Sequence, residues 1–168
     1  MDKDAYLEIN ASQRPALALF EAMGYTYISP ADCDKQRGSR YHVLLRDILR
    51  GQLRRLNRYA YAGAENEFSA ANIERAMEDL DEPLTDGLVR TSEKIYDALL
   101  LGKSYPETVG DGKMLSFNLR YIDWDNPQNN VFHVTEEFAV DSRDRQHNAR
   151  PDIVLFINGI PFAVIECK

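Results

Sequence analysis

The chain has 168 residues, enough for one domain with a substantial core, and its 44% hydrophobic and 28% charged content excludes a disordered or fibrous protein. No apolar run reaches the length of a membrane span, and the start, Met-Asp-Lys-Asp-Ala-Tyr, lacks the apolar segment of a signal peptide, so the expected location is the cytoplasm, with Cys33 and Cys167 as reduced thiols. A formal net charge of −7 argues against gripping nucleic acid by bulk charge alone, although the distribution is uneven: residues 65–86 hold eight acids and one base, whereas residues 37–58 are strongly basic.

A first helix is predicted from about residue 12 to Gly24, with Ser12 as N-cap, Pro15 in the first turn and Leu17, Phe20 and Met23 spaced for a core. Tyr25-Thr26-Tyr27-Ile28 suits a short strand, and a polar loop through Pro30, Asp32 and Gly38 follows. Residues 41–57 make the clearest amphipathic helix. Leu45, Leu49, Leu53 and Leu56 mark its buried face, while Arg46, Arg50, Arg54 and Arg58 recur every four residues on another. Like charges so spaced repel by roughly a few tenths of a kcal/mol per pair. The row therefore suits a counterion, either a phosphate backbone or a partner subunit, with a solvated face as the plain alternative. Residues 69–80 read as a third helix capped by Ser69, ended by Asp81-Glu82-Pro83 and a turn at Leu84-Thr85-Asp86-Gly87. Residues 92–101 read as a fourth, capped by Ser92 and stopped by Gly102. Gly102-Lys103-Ser104 imitates the end of a phosphate-binding loop, but such a loop needs a Gly where this chain has Asp97, inside a helix, so no nucleotide role is expected.

After Pro106 the apolar period shortens to two. Leu115, Phe117, Leu119 and Tyr121 alternate with polar neighbours, and Asp123-Trp124-Asp125-Asn126-Pro127 turns the chain. Residues 131–140 form a second strand, with Phe132, Val134, Phe138 and Val140 on one face and His133, Thr135 and Glu137 on the other. The two strands are expected to pair as an antiparallel ribbon. His133 suits a sheet histidine better than a ligand, and Glu136 or Glu137 could approach a neighbouring site. Residues 141–150 form a polar loop with Arg143, Arg145, Arg150 and His147, able to grip a phosphate or simply solvated. Helices to about residue 102 followed by strands from about residue 113 predict an α+β domain with a mainly antiparallel sheet flanked by helices.

The last stretch organises the rest. Residues 153–157 and 160–165 are short apolar runs rich in β-branched residues, joined at Asn158-Gly159, the strongest short-range hairpin signal. Neither run alternates, so both faces are expected to be covered by protein. Yet Asp152 stands at the entrance and Glu166 and Lys168 at the exit, with Cys167 between them on the opposite face. Whether Asp152 shares the face of Glu166 depends on parity. A plain two-residue loop pairs Ile157 with Ile160 and turns Asp152 away; a bulged three-residue turn, or an equivalent irregularity, brings the carboxylates together. If they meet, hard oxygen donors from Asp152 and Glu166, with the Cys167 carbonyl as a third, suit Mg²⁺, with Mn²⁺ able to substitute. Such an ion lowers the pKa of bound water and neutralises phosphodiester charge, while Lys168 would orient the attacking water or stabilise the transition state. The plain alternative is that Asp152 caps a turn and Glu166 pairs with Lys168.

Pro151-Asp152 followed by Glu166-Cys167-Lys168 after an apolar hairpin resembles the PD-(D/E)xK nuclease motif. The full run Arg-Pro-Asp-Ile-Val-Leu-Phe-Ile-Asn-Gly-Ile-Pro-Phe-Ala-Val-Ile-Glu-Cys-Lys resembles the N-terminal nuclease domain of the restriction (R) subunit of type I restriction-modification enzymes. Upstream stretches agree: Gly24-Tyr25, Leu45-Arg46-Asp47, Leu56-Asn57, Leu84-Thr85-Asp86-Gly87, Asp125-Asn126-Pro127 and Asn129-Asn130. The resemblance implies a restriction-endonuclease-like core and a magnesium-dependent endonuclease acting on double-stranded DNA, with Asp152, Glu166 and Lys168 as the catalytic triplet. It also implies modification (M) and specificity (S) subunits as partners, and translocase domains of the full-length chain through which ATP acts. There are two departures. The family commonly continues into a helix with a Gln and Tyr motif, whereas this chain stops at Lys168; and it often carries a Glu in its first helix, where this chain aligns Gln13 or Pro15. The fragment alone is expected to cut poorly. Two other readings are a non-catalytic DNA-positioning or assembly module and a repair nuclease of the same superfamily.

Overall fold

A computed structural model describes residues 12–81, 87–142 and 148–167. In chain order its elements are α1 (Arg14–Ala22), β1 (Thr26–Tyr27), α2 (Pro30–Arg37), α3 (Arg46–Leu56), β2 (Arg58–Tyr61), β3 (Ala64–Glu67), α4 (Ala70–Leu80), α5 (Leu88–Leu101), β4 (Lys103–Thr108), β5 (Met114–Leu119), β6 (Phe132–Glu136), β7 (Ile153–Ile157) and β8 (Ile160–Ile165). They fall into two compact units, one built from the segments Met1–Asp47 and Val131–Lys168, the other from Ile48–Asn130. Each unit carries both helices and strands, and the fold is α+β. No helix among the described residues is long and apolar enough to cross a membrane.

The first unit is a four-stranded sheet in the order β1-β6-β7-β8. β1 runs parallel to β6, and the remaining pairs are antiparallel. β7 is covered on both faces, as its unbroken apolar run requires, but β8 is not: it lies at the edge of the sheet and leaves Phe162 51% and Val164 60% exposed. On one face Leu17 of α1 packs with Val134 and Ile153, joined by Phe20, Tyr25, Leu155 and Ile165. Towards the other, Phe138 packs edge-on against Phe156, and the Arg37 guanidinium of α2 lies over the Phe138 ring at 4.2 Å. Phe138 does not continue the face of Phe132 and Val134 as the alternation predicts. Glu137 takes a positive φ of 50° immediately before it and breaks the period of two.

Local signals explain most boundaries. Gln13, not Ser12, holds the N-cap position of α1, without a side-chain cap bond, and Pro15 lies in the first turn. That helix ends at Ala22, which leaves Met23 64% exposed instead of in the core. The stretch expected as a polar loop contains α2: the Ser29 hydroxyl accepts from the Asp32 amide at 3.1 Å, Pro30 opens the helix, and Gly38 closes it in the left-handed region.

α3 starts at Arg46 instead of residue 41, and its Leu49 and Leu53, which belong to the second unit, are fully buried. Ser69 caps α4 as predicted, accepting from the Asn72 amide. α5 starts at Leu88, so Ser92 lies inside it, and Gly102 ends it. Gly102 has a φ of +77°, and a Cβ there would meet the Leu119 carbonyl oxygen at 2.5 Å. Lys103 pairs with Asp79 at 2.8 Å and Ser104 belongs to β4, so the Gly102-Lys103-Ser104 stretch forms no phosphate loop. β5 pairs with β4, antiparallel, and not with β6 as the alternation suggested. A hairpin of β2 and β3 was not foreseen.

Candidate active site

The site begins with the turn of the last hairpin. Asn158 and Gly159 both adopt positive φ, 54° and 84°, and Ile157 pairs with Ile160. This is the plain two-residue loop that mirrors the strand twist. By itself it would turn Asp152 away from Glu166. Parity is restored within the strand. Phe156 pairs with Pro161, but Leu155 pairs with Ala163, so Phe162 is a surplus residue bulged out of β8. Beyond the bulge Val154 meets Val164 and Ile153 meets Ile165. One further step sets Asp152 across from Glu166, on the same face of the sheet. The irregularity expected from the carboxylates is present, in the strand and not in the turn.

The turn is itself anchored. The buried Asn158 side chain accepts from the Val131 amide at 2.9 Å, its own amide donates to the Val131 carbonyl, and the Leu45 amide donates to the Gly159 carbonyl. Asp152, half-buried, is held at both ends of its own atoms. Its Oδ2 accepts the Cys167 amide at 2.6 Å, which ties the start of β7 to the exit of β8. Its carbonyl accepts the Glu137 amide at 3.0 Å and the Gln13 Nε2 at 3.4 Å. The same Gln13 Nε2 donates to Glu136 Oε2 at 3.1 Å, and the Tyr27 hydroxyl donates to Glu136 Oε1 at 2.9 Å. Burial, with the Glu136 carboxylate beside it, pushes the Tyr27 phenol up to about 12. The Cys167 side chain packs on the Leu17 cluster, opposite the carboxylates, and Glu166 is exposed.

These donors suit a hard cation in type and number only in part. Among the described residues no three His, Cys, Asp or Glu side chains converge as metal ligands. What the hairpin end offers is two carboxylates and main-chain carbonyls, all oxygen, a set that fits an ion keeping several of its own waters, as Mg²⁺ does. Lys168 lies outside the described residues.

Two comparisons place the chain. A sequence model of the type I restriction enzyme R protein N terminus matches residues 5–168. The chain belongs to this family. It is also 30% identical, over 76% of its length, to the MjaVIIIP protein of Methanocaldococcus jannaschii, named as a type I restriction enzyme endonuclease subunit. It is 26% identical along its whole length to the similarly named MjaIXP subunit of the same organism. The matches span 11% and 15% of those relatives' lengths.

In this R-protein N-terminal chain the arginines predicted to meet DNA are largely engaged. Arg50 pairs with Glu74 and Arg58 with Glu67, each at 2.5 Å, while Arg54 is exposed. Arg46 also has partners. Arg150 pairs with Glu137 at 2.7 Å, two residues from Asp152. Arg143, Arg145 and His147 lie outside the described residues. Arg37, counted in the basic tract, is buried against Asp34 and the Ala139 carbonyl. His133 is a sheet residue whose Nδ1 is buried without a partner, and burial pulls its pKa down. Of Gln13 and Pro15, the two positions set against the family's first-helix Glu, Gln13 donates to the Asp152 carbonyl through its carboxamide, and Pro15 lies in the first turn of α1. Tyr27 was missed; its partner Glu136 is 109 residues away, and no local pattern links them.

Proposed function

We propose that this chain is the DNA-cleaving N-terminal module of a type I restriction enzyme R subunit, hydrolysing phosphodiester bonds of double-stranded DNA with Mg²⁺. The observation that carries the reading is the Phe162 bulge, which returns Asp152 to the face of Glu166 despite a turn that would separate them. A bulge beside a pair of carboxylates at a strand end is a device for aiming side chains. The plain alternative, Asp152 as a turn cap, accounts for its bond to the Cys167 amide but not for that return of parity.

In this reading Asp152 and Glu166, with the Cys167 carbonyl, would hold the ion. When bound, it would lower the pKa of a water and offset the charge of the scissile phosphate. The Cys167 amide fixes one Asp152 oxygen and leaves the other available. Lys168, two residues beyond Glu166, is assigned to orient the attacking water or to stabilise charge on the phosphate as it builds. The net charge of −7 and the ion-paired Arg50 and Arg58 favour a module that receives DNA from other parts of the assembly. Those parts would be the M and S subunits and the chain's own translocase domains, which use ATP in the cytoplasm. The same acidic balance is what a non-catalytic positioning module would show.

Asp152→Ala and Lys168→Ala in the full-length protein separate the two readings. Each is expected to abolish cleavage, by a factor of about 10² or more, and to leave ATP-dependent translocation intact. Cleavage that survives either change would remove the catalytic assignment.

A further inference from the structure

We propose that Gln13 is a positioning residue for this site, acting on Asp152 through its main-chain carbonyl and held in place by Glu136 and Tyr27. The proposal rests on the cleavage reading above and adds residues that the catalytic triplet does not include.

Gln13 is 4% exposed, at the start of α1. A buried carboxamide is retained only where its polar atoms are used. Its Nε2 lies between two oxygens, Glu136 Oε2 at 3.1 Å and the Asp152 carbonyl at 3.4 Å. Three elements therefore converge on one residue: α1 through Gln13, the end of β6 through the Glu137 amide, and the exit of β8 through the Cys167 amide. The first two fix the backbone of Asp152, and the third fixes its carboxylate. Glu136 keeps Gln13 aimed. No cation among the described residues pairs with it; its two oxygens are answered by the neutral donors Gln13 and Tyr27. A carboxylate so placed orients a donor instead of being neutralised by one, which is the role outer partners play around metal ligands.

Gln13→Met keeps the length and apolar volume of the side chain and removes the donor. In the intact protein, Mn²⁺ affinity by titration calorimetry is expected to fall about tenfold, within the range for outer-shell losses. The Mg²⁺ concentration for half-maximal cleavage should rise by the same factor, with the loss recovered at saturating metal. Tyr27→Phe removes only a partly exposed hydroxyl, so it tests the chain of contacts if Gln13→Met fails to fold; a smaller fall in the same direction is expected. Mn²⁺ affinity equal to wild type in Tyr27→Phe and in a folded Gln13→Met overturns the proposal, as does a fall in maximal rate with metal affinity unchanged. Asp152→Asn separates this failure from that of the site. If it too leaves Mn²⁺ binding intact, the cation site itself is misplaced; if it abolishes binding while the other two do not, only the positioning role is lost.

Discussion

Arg37 shows at single-residue scale why a basic tract in a sequence is not a basic surface. Its guanidinium is spent inside the fold, on Asp34, on the Ala139 carbonyl and over the Phe138 ring. Asp34, held below the usual carboxylate range first by Arg37 and also by Arg40, keeps the Arg40 contact if Arg37 is removed. Arg37→Met therefore takes a donor from two carbonyls, those of Ala139 and His42, but orphans no buried charge, and should cost about 1–3 kcal/mol in urea unfolding. A cost near zero would show that the guanidinium is dispensable. His133 makes the complementary case. Burial lowers its pKa below the ordinary 6.5, so the unfolded chain binds the extra proton first as pH falls. Stability is full above pH 6.5 and declines as pH drops from there towards the folded value. Asp34 titrates lower, below 3.8, and leaves this window clear. His133→Phe should flatten the fall in urea midpoint between about pH 6.5 and pH 5. An unchanged slope would assign the effect to another group.

At the scale of elements, the hairpin shows what a sequence carries and what it hides. Asn158-Gly159 named the turn, and the carboxylates at its ends implied an irregularity somewhere between them. Its place was not legible, because in an unbroken apolar run no residue is marked as surplus. The same gap separates strands from their partners: the alternation at Phe117 and Leu119 revealed β5, but β4, its neighbour across the sheet, follows Gly102 directly and carries Pro106. α2 was legible in its ends, Ser29-Pro30 and Gly38, and obscured by a polar interior. Period two put Glu166 and Lys168 on one face and left the face of Asp152 open until the bulge was located, whereas Gln13 and Tyr27 meet Glu136 only through the sheet and its helix. Bulge slack can be tested directly. Deleting Phe162 removes the bulged residue and preserves Leu155 with Ala163, Val154 with Val164 and Ile153 with Ile165. Cleavage should survive this deletion with at most about a tenfold loss, a barrier shift of about 1.4 kcal/mol. One Gly inserted between Ile165 and Glu166 has no slack to absorb it. It moves Glu166 out of register with Asp152 and should abolish cleavage. The reverse pattern, a dead deletion and an active insertion, would contradict the register.

For the whole molecule, charge sets the terms on which the proposed DNA substrate would be bound. Duplex affinity comes mainly from released counterions, with a slope of log K against log salt close to −0.9 per phosphate neutralised. This chain carries 20 Lys and Arg against 27 Asp and Glu, and several arginines that sequence pattern offered to DNA already hold carboxylates. The formation of such ion pairs removes the cations from counterion release, because a phosphate must first displace the carboxylate. The 168-residue chain alone should therefore bind a duplex weakly, and its affinity should fall by less than about tenfold between 50 and 200 mM salt, where a protein with 6–10 phosphate contacts loses about 10³–10⁵. Fluorescence anisotropy of a labelled duplex at the two salt concentrations measures this. A steep slope would mean that the arginines outside the ion pairs, Arg54 among them, form a phosphate-tracking surface, and Arg54→Ala would then reduce the slope by about 1. A shallow slope for the chain combined with a steep one for the holoenzyme would assign DNA capture to the other domains and subunits, and leave to this chain the placement of Asp152 and Glu166 against a strand delivered to it.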